Sequence, residues 1–246
     1  MTPGFSGTTA SAGDETPGVH GHIKSYVRRR GHISPAQERH FVEGLPRWGI
    51  PYAPALLDPT AAFGRAAPLW LEIGFGMGET TAQLAAAHPD VNYLGLEIFT
   101  AGVGALLKQI DERQLTNIRI ISHDAVEVLA HMLAPASVDR VLVYFPDPWP
   151  KLRHHKRRLI QAPFVAALSR VLKPGGLLHC ATDWQHYAEQ MLSVLSAQPD
   201  LHNTATGFAP RPAARPLTKF ERRGVRLGHG VWDVMFSKSL PRTAGD

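Results

Sequence analysis

The sequence predicts an α/β fold with one doubly wound, mostly parallel seven-stranded sheet, and three observations lead to this prediction. Five apolar runs, the first of which begins at Leu69, are each followed by a segment with helical periodicity. The runs are almost continuously apolar, which is typical of strands that are buried on both faces. Residues 215–240 differ, because two strand-like stretches flank the tripeptide GHG with no helix between them. These stretches predict a C-terminal antiparallel strand pair.

The predicted elements follow one another regularly along the chain. A short helix is expected to begin near Ser34 and Pro35, since serine is a frequent N-cap and proline is favoured at the first helical position. The predicted parallel strands are LWLEIGF, NYLGLEI, IRIISHD, VDRVLVYFPD and GLLHCATD. The helices predicted to follow them are GETTAQLAAAH, AGVGALLKQIDERQ, AVEVLAHML, LIQAPFVAALSRVL and WQHYAEQMLSVLSA.

The composition divides the chain into three parts. Residues 1–21 are rich in glycine, threonine, serine and proline and are expected to be a disordered N-terminal tail. Residues 22–68 form a basic N-terminal extension that contains the short helix, and residues 69–240 form the sheet domain.

The charge and the cysteine content limit the classes of protein to consider. The net charge is +5 and the positive residues are clustered, which favours a polyanionic partner such as nucleic acid, although an ordinary solvated basic surface stays open. The single cysteine, Cys180, excludes an internal disulfide framework and a cysteine-based zinc site, and we expect it to be inert core. We therefore expect a cytoplasmic protein, and no apolar run is long enough to span a membrane.

A glycine-rich segment follows the first predicted strand. Gly74, Gly76 and Gly78 allow the backbone to turn tightly and to approach a ligand before the next helix begins. Glu97 lies about 20 residues further on, at the end of the second strand, where its carboxylate can accept hydrogen bonds from both hydroxyls of a ribose. The glycine pattern alone also fits nicotinamide and flavin enzymes. The predicted antiparallel end of the sheet favours methyltransferases that use S-adenosylmethionine.

Two further acids occupy the same edge of the predicted sheet. Asp124, at the end of the third strand, can accept from an adenine amino group, although it can also simply cap the following helix. Glu72 lies inside an apolar strand, where burial is costly unless the carboxylate meets a cation or hydrogen-bond donors. The ammonium and sulfonium of S-adenosylmethionine would provide such a cation, and a buried structural ion pair is the alternative.

The fourth strand ends in an acid enclosed by prolines. Asp147 stands between Pro146 and Pro148, and Pro150 follows Trp149, so the backbone is expected to be stiff. Trp149 offers a flat face on which a base can stack, and plain packing under the loop is the alternative. A dense block of positive charge comes directly afterwards, at residues 151–158.

Seven segments together closely resemble the bacterial tRNA (guanine-N7-)-methyltransferases, a family of the class I S-adenosylmethionine-dependent methyltransferases. The segments are LEIGFGMGE, YLGLEI, HDA, FPDPWPKLRHHKRR, LKPGG, ATDW and TKFERRG. The resemblance extends from about Ile23 to Lys238 and does not include the N-terminal tail. It implies a Rossmann-like fold and methylation of N7 of a guanosine in the variable loop of tRNA.

The resemblance also implies roles for individual residues. It makes Asp147 the catalytic candidate. The residues expected to bind the cofactor are Glu72, Gly74, Gly76, Gly78, Glu97, Asp124 and Asp147. The residues expected to bind the substrate are Lys151, Asp183, Thr218, Lys219, Phe220 and Glu221. The residues expected to contact RNA are Arg153, His154, His155, Lys156, Arg157 and Arg158.

The chemistry of guanine fits these assignments. N7 carries a lone pair in the neutral base, so its methylation needs alignment and a favourable electrostatic environment rather than prior removal of a proton. A fixed carboxylate at Asp147 would favour the positive charge that N7 acquires. Glu221 or Asp183 is expected to accept the two donors on the Watson–Crick edge of guanine, although Glu221 can equally be a surface acid paired with Arg222 or Arg223.

Other interpretations stay open on the sequence alone. Adjacent His154 and His155 have no further ligand at a suitable spacing, so no metal is expected. The chain can be a methyltransferase of another RNA or of a small basic metabolite, although the cation block disfavours the metabolite. It can also be an RNA-binding module without chemistry, although the four acids at the strand ends disfavour that role. A monomer and a homodimer are both compatible with the sequence.

Overall fold

The computed structural model describes residues 33–217, 221 and 230–240. The tail, part of the basic extension and most of the segment TKFERRG therefore lie outside the described residues. In chain order, the helices and strands are α1 Pro35–Trp48, α2 Pro59–Phe63, β1 Leu69–Ile73, α3 Glu79–Ala87, β2 Asn92–Leu96, α4 Thr100–Glu112, β3 Ile118–Ile121, α5 Ala125–His131, β4 Val138–Tyr144, a 3-10 helix Leu152–Arg157, α6 Ala162–Val171, β5 Leu172–Thr182, α7 Gln185–Ser196, β6 Leu201–Asn203 and β7 Trp232–Lys238.

One seven-stranded sheet contains all of the strands, in the order β3-β2-β1-β4-β5-β7-β6. Strands β1 to β5 pair in parallel, and β7 is antiparallel to both β5 and β6. The strand order reverses between β1 and β4, so the carboxyl ends of these two strands border the crevice in which open α/β sheets bind ligands. The predicted fold class is confirmed.

The C-terminal strand pair is confirmed, although its strands are partly different from those expected. The last predicted strand is β7, and its antiparallel partners are β5 and the short β6 at Leu201–Asn203. Most of the stretch before GHG, which we expected to be the partner, falls outside the described residues. No apolar alternation distinguishes the three residues of β6 from a turn, so the sequence did not reveal this strand.

The first helix begins as the sequence predicts. The Ser34 side chain accepts from the backbone N–H of Gln37, and the Gln37 side chain accepts from the Ser34 N–H, which forms a capping box. Trp48, at the end of α1, is buried in a core cluster with residues of β2, β3 and α4. Ile50 donates its N–H to Ile120 of β3, so this part of the basic extension covers the edge of the sheet.

Candidate active site

The glycine-rich loop after β1 borders open space. Gly74 and Gly76 have φ values of +75° and +57°, which only glycine adopts without strain, and a Cβ at either position would meet no atom within 4 Å. Gly78 has a different role, because a Cβ there would lie 2.6 Å from Cβ of Leu106 in α4. The first two glycines therefore leave room for a ligand against the backbone, and the third permits close packing of α4.

Glu72 is buried in the middle of the sheet, directly below this loop, with 3% of its surface exposed. The Tyr93 hydroxyl donates to its carboxylate over 3.0 Å. The pKa of Glu72 is raised to about 7, chiefly by burial; the negative charge of Glu97 adds to the rise, and hydrogen bonds from the hydroxyls of Thr81 and Tyr93 oppose it. The side chain is thus an acid that a nearby cation would ionise at neutral pH.

Glu97 holds the glycine loop in place. Its carboxylate accepts backbone N–H bonds from Gly76, Ile98 and Phe99 over 2.8, 2.8 and 2.9 Å. Burial raises the pKa of Glu97, the three N–H donors lower it, and the charge of Asp147 raises it. The sequence suggested contact with a ribose and did not reveal that Glu97 also fixes the loop, because a bond to Gly76 depends on the tertiary fold. The ribose contact stays a prediction.

Asp124 caps α5, since its carboxylate accepts from the Val126 N–H over 2.9 Å. A cap leaves other acceptor positions of the carboxylate, so the predicted adenine contact stays compatible with this geometry. His123, the preceding residue, stacks on Tyr52 of the basic extension with ring centroids 3.7 Å apart. The Tyr52 hydroxyl is in turn 2.7 Å from Nδ1 of His131. The sequence did not predict that Tyr52 reaches the end of β3.

The loop that carries Asp147 has an unusual backbone. Phe145 and Trp149 both have positive φ values, 51° and 44°, which are rare for bulky residues and must be held by their surroundings. Asp147 lies between them and is half-buried. Its charge acts on Glu97, which in turn acts on Glu72, so three carboxylates lie within electrostatic range at the ends of β1, β2 and β4. This edge of the sheet therefore favours a cationic ligand.

The basic block forms the 3-10 helix and presents most of its cations to solvent. Lys151, Arg153 and Lys156 are exposed. The Arg157 guanidinium lies 4.2 Å from the centre of the Trp149 ring, and the edge of His154 contacts the same ring. Trp149 is therefore packed against the block, as the alternative interpretation expected, on the face that Arg157 covers. Desolvation and the charges of four neighbouring cations lower the pKa of His154.

Arg158 does not belong to this exposed surface, which corrects the expectation that it contacts phosphate. Only 2% of its surface is exposed, and its guanidinium donates to the Pro148 carbonyl over 2.8 Å. It also bonds to Gln190 and lies 3.0 Å from Nδ1 of His186, both in α7. Arg158 therefore fixes the PDPWP loop to α7. Cation spacing alone cannot distinguish a buried arginine from its exposed neighbours.

Glu221 is also buried, which corrects the view of it as a surface acid paired with Arg222 or Arg223. It is 2% exposed, and Arg215 binds both of its carboxylate oxygens over 2.8 Å. Nε of Arg211 lies 3.2 Å from the same carboxylate, so a second arginine also pairs with Glu221. Thr218, Lys219 and Phe220, the other members of the predicted substrate segment, lie outside the described residues.

Asp183 borders a cleft of about 430 Å³ at the end of β5. Trp184, Glu189, Gly230 and Trp232 also line this cleft. Trp184 is 40% exposed, which is a large fraction for a tryptophan. The structure thus places Asp183 in a cleft with aromatic walls, a feature that the sequence did not reveal.

In the part of the chain that the structure describes, no group of three or more histidine, cysteine or acidic side chains is arranged to hold a metal ion. None of the helices there has the length and apolar character needed to cross a bilayer.

Known proteins resemble this chain over most of its length. A sequence profile of a family described as "Putative methyltransferase" matches residues 66–234. A tRNA (guanine-N(7)-)-methyltransferase of Burkholderia vietnamiensis is 63% identical over 230 residues, which are 93% of this chain and 90% of that protein. A protein of the same name from Bordetella pertussis is 59% identical over 231 residues, which are 94% of this chain and 91% of that protein.

Solved structures share the fold at low sequence identity. A 16S rRNA (adenine(1408)-N(1))-methyltransferase from Catenulisporales acidiphilia, solved with its cosubstrate, has a TM-score of 0.51 and 19% identity, over 76% of this chain and 94% of that one. A 30S ribosomal methyltransferase from an uncultured bacterium has a TM-score of 0.53 and 13% identity, over 74% of this chain and 94% of that one. At these identities the likeness shows the fold alone.

Proposed function

This chain belongs to the tRNA (guanine-N(7)-)-methyltransferase family, and from that premise we propose that it methylates N7 of a guanosine in the variable loop of tRNA. The observation that carries the proposal is the pairing of two adjacent surfaces. Three carboxylates surround an open glycine loop at the ends of β1, β2 and β4, and a strained loop joins them directly to an exposed basic helix. A cationic methyl donor fits the first surface and a polyanion fits the second.

The residues around the glycine loop fit S-adenosylmethionine, the methyl donor of this family. Gly74 and Gly76 leave the backbone open on one side, and Glu72 offers a buried acid that a cation would ionise. Glu97 accepts three backbone N–H bonds, so about one of its four acceptor positions remains for a ribose hydroxyl, and Asp124 is assigned to the adenine amino group. When bound, the donor supplies a methyl group activated by the positive sulfonium.

Asp147 is the residue we assign to the reacting end. Guanine N7 uses its own lone pair, so no side chain has to remove a proton before the methyl group is transferred. N7 becomes positive as it accepts the methyl group, and a carboxylate fixed nearby favours that change. The strained residues on both sides of Asp147 and the bond from Arg158 to Pro148 keep this carboxylate in a defined position.

The exposed cations beside Asp147 are assigned to the phosphates of the tRNA. Lys151, Arg153 and Lys156 project into solvent, and Arg157 lies at the edge of the same surface. His154 and His155 lie among these cations and are assigned to the same RNA surface. Contacts to phosphate position the RNA, whereas contacts to base edges select the guanosine.

The cleft beside Asp183 is the binding region that we assign to the target base. The Asp183 carboxylate can accept the N1–H and N2 amino donors of guanine, which adenine lacks. Exposed Trp184 provides a face for stacking, a contact that contributes roughly 1–3 kcal/mol per base. Thr218, Lys219 and Phe220 are assigned to the neighbouring sugar or phosphate.

We also propose that the enzyme acts in the cytoplasm, as either a monomer or a homodimer. The experiment that tests the proposed function supplies labelled S-adenosylmethionine and unmodified tRNA, followed by digestion and identification of the nucleoside. Label in 7-methylguanosine from the variable loop is the expected result. Label in another nucleoside, or in an acceptor other than tRNA, would overturn the proposal.

A further inference from the structure

A chain of buried polar side chains runs beneath the loop that carries Asp147. It joins Tyr144 at the end of β4, His179 in β5, Asp233 in β7, and then Arg215 and Glu221. The last four are each no more than 3% exposed. These five residues, which we call the buried network, connect three strands to the segment predicted to bind substrate.

The contacts of the buried network are short and continuous. The Tyr144 hydroxyl lies 3.0 Å from Nδ1 of His179, and Nε2 of His179 lies 2.6 Å from Asp233. Arg215 donates to Asp233 over 3.1 Å and binds Glu221 through both terminal nitrogens over 2.8 Å. If the Tyr144 hydroxyl donates to Nδ1 and the Nε2–H donates to Asp233, both ring nitrogens of a neutral His179 are satisfied.

We propose that the buried network is a positioning device, in which Glu221 acts through Arg215 to align the Asp147 loop rather than by reading the guanine. The proposal rests on the proposed function, because it assigns the alignment to methyl transfer. Arg215 and Glu221 lie on either side of Thr218, Lys219 and Phe220 in the sequence, and Arg215 joins Glu221 to Asp233 of β7.

The same network reaches the strained loop. Tyr144 directly precedes Phe145, whose φ is +51° and whose N–H donates to the Ala181 carbonyl of β5 over 2.8 Å. The Arg215 guanidinium lies 5.8 Å from the centre of the Phe145 ring and 5.9 Å from that of Tyr144. A conformation this unfavourable for phenylalanine persists only when the surrounding contacts determine it, and the buried network provides these contacts.

The geometry of Glu221 favours positioning over recognition. Arg215 occupies both of its oxygens in a bidentate pair, which is the most specific geometry that a carboxylate and an arginine form. A carboxylate held in this way and 2% exposed offers no open edge to a base in the described structure. Asp183, in the cleft, is the carboxylate left to read the guanine.

A double-mutant cycle separates the two roles. Glu221→Gln and Arg215→Gln are each expected to lower kcat/KM for tRNA by about 10²-fold, since a small misalignment has an effect of this order. If Glu221 acts through Arg215, the double variant loses no more than about 10²-fold, because the second change removes an interaction that is already lost. If Glu221 binds guanine independently, the losses multiply to about 10⁴-fold, which would overturn the proposal.

Two further measurements keep the test decisive if a buried variant unfolds or if the substrate differs. Tyr144→Phe removes one hydroxyl at the half-buried end of the network and is expected to lower kcat without changing the affinity for S-adenosylmethionine. Hydrogen exchange in the free protein is expected to quicken at residues 145–149 in Tyr144→Phe and in Glu221→Gln. Exchange in that loop that is unchanged in both variants would overturn the positioning role.

A control variant is available at the amino-terminal ends of the same strands, β4 and β5. Lys173 and Asp139 form an ion pair of 2.7 Å between β5 and β4, remote from the network. Lys173→Gln removes this pair and is expected to leave both the activity and the exchange at residues 145–149 unchanged. If the wild-type protein fails to methylate tRNA, the proposed function is refuted but the positioning role of the buried network is not. The exchange experiment still tests that role, because it needs no substrate.

Discussion

Cofactor binding should release a proton from Glu72. The pKa of this buried carboxyl is raised to about 7 in the free protein, so at pH 7 about half of the molecules carry the proton. A cationic ligand beside the carboxylate favours its ionised form and lowers the pKa in the complex. Binding at neutral pH therefore releases about half a proton per cofactor, and more at pH 6.

The affinity change follows from the same equilibrium. If the bound pKa falls below about 5, the ionisation of Glu72 by itself decreases the dissociation constant about tenfold between pH 6 and pH 8. This change corresponds to about 1.4 kcal/mol. The affinity rises with pH because only the deprotonated acid interacts favourably with the cation.

Titration calorimetry in buffers of low and high ionisation enthalpy measures the released proton directly. Glu72→Gln is the control, since it keeps the shape of the side chain but cannot release a proton. The amino group of the cofactor also titrates, with a pKa of about 8, and it does so with both proteins, so the difference between them isolates Glu72. S-adenosylhomocysteine, which keeps the ammonium but lacks the sulfonium, identifies the cation involved. Equal proton release by wild type and Glu72→Gln would refute the assignment.

Three further predictions concern the loop, the basic helix and the buried acid. Asp147→Asn should nearly preserve the affinity for S-adenosylmethionine, because Glu72 and Glu97 remain, and should lower kcat by about 10²-fold, whereas full activity would exclude an electrostatic role for the carboxylate. Replacing Arg153, Lys156 and Arg157 by glutamine should reduce the log–log salt slope of tRNA binding by roughly 0.7–0.9 per lost phosphate contact. Arg158→Met should instead lower the free energy of unfolding by on the order of 2 kcal/mol. A salt slope of the triple variant equal to that of the wild type would contradict this division of roles. The folded pKa of Glu72 lies above its ordinary value of 4.5, so the contribution of Glu72 to stability is full below pH 4.5 and is lost as the pH rises through about 7. The loss is on the order of 3 kcal/mol. In denaturant titrations between pH 4.5 and pH 8, the cofactor-free wild type should therefore lose more stability than Glu72→Gln.

The parts of the fold that depend on local pattern could be predicted from the sequence. The five strand–helix units and the start of α1 follow from apolar periodicity and capping residues, which act over a few neighbouring positions. The short β6 could not be predicted, because three residues carry too little pattern and the strand exists only through its pairing with β7.

The site shows the same division between local and tertiary information. The glycines and the acids at the strand ends were found because the chain direction of a parallel sheet brings such positions to one edge. The burial of Arg158 against α7 and the pairing of Arg215 with Asp233 join residues 18 or more positions apart. Such contacts depend on how the helices and strands pack, and charge patterns in the sequence do not specify them.

A tRNA that carries a single 7-deazaguanosine in the variable loop tests directly whether the methyl group is transferred to N7 of that guanosine. The modified base keeps its Watson–Crick edge and its shape but has a C–H group in place of N7. With labelled S-adenosylmethionine, we expect label in 7-methylguanosine from the unmodified tRNA and none in the modified one, although both bind with similar affinity. An equal amount of label in the modified tRNA would contradict transfer to N7, because the methyl group would then be attached to another atom.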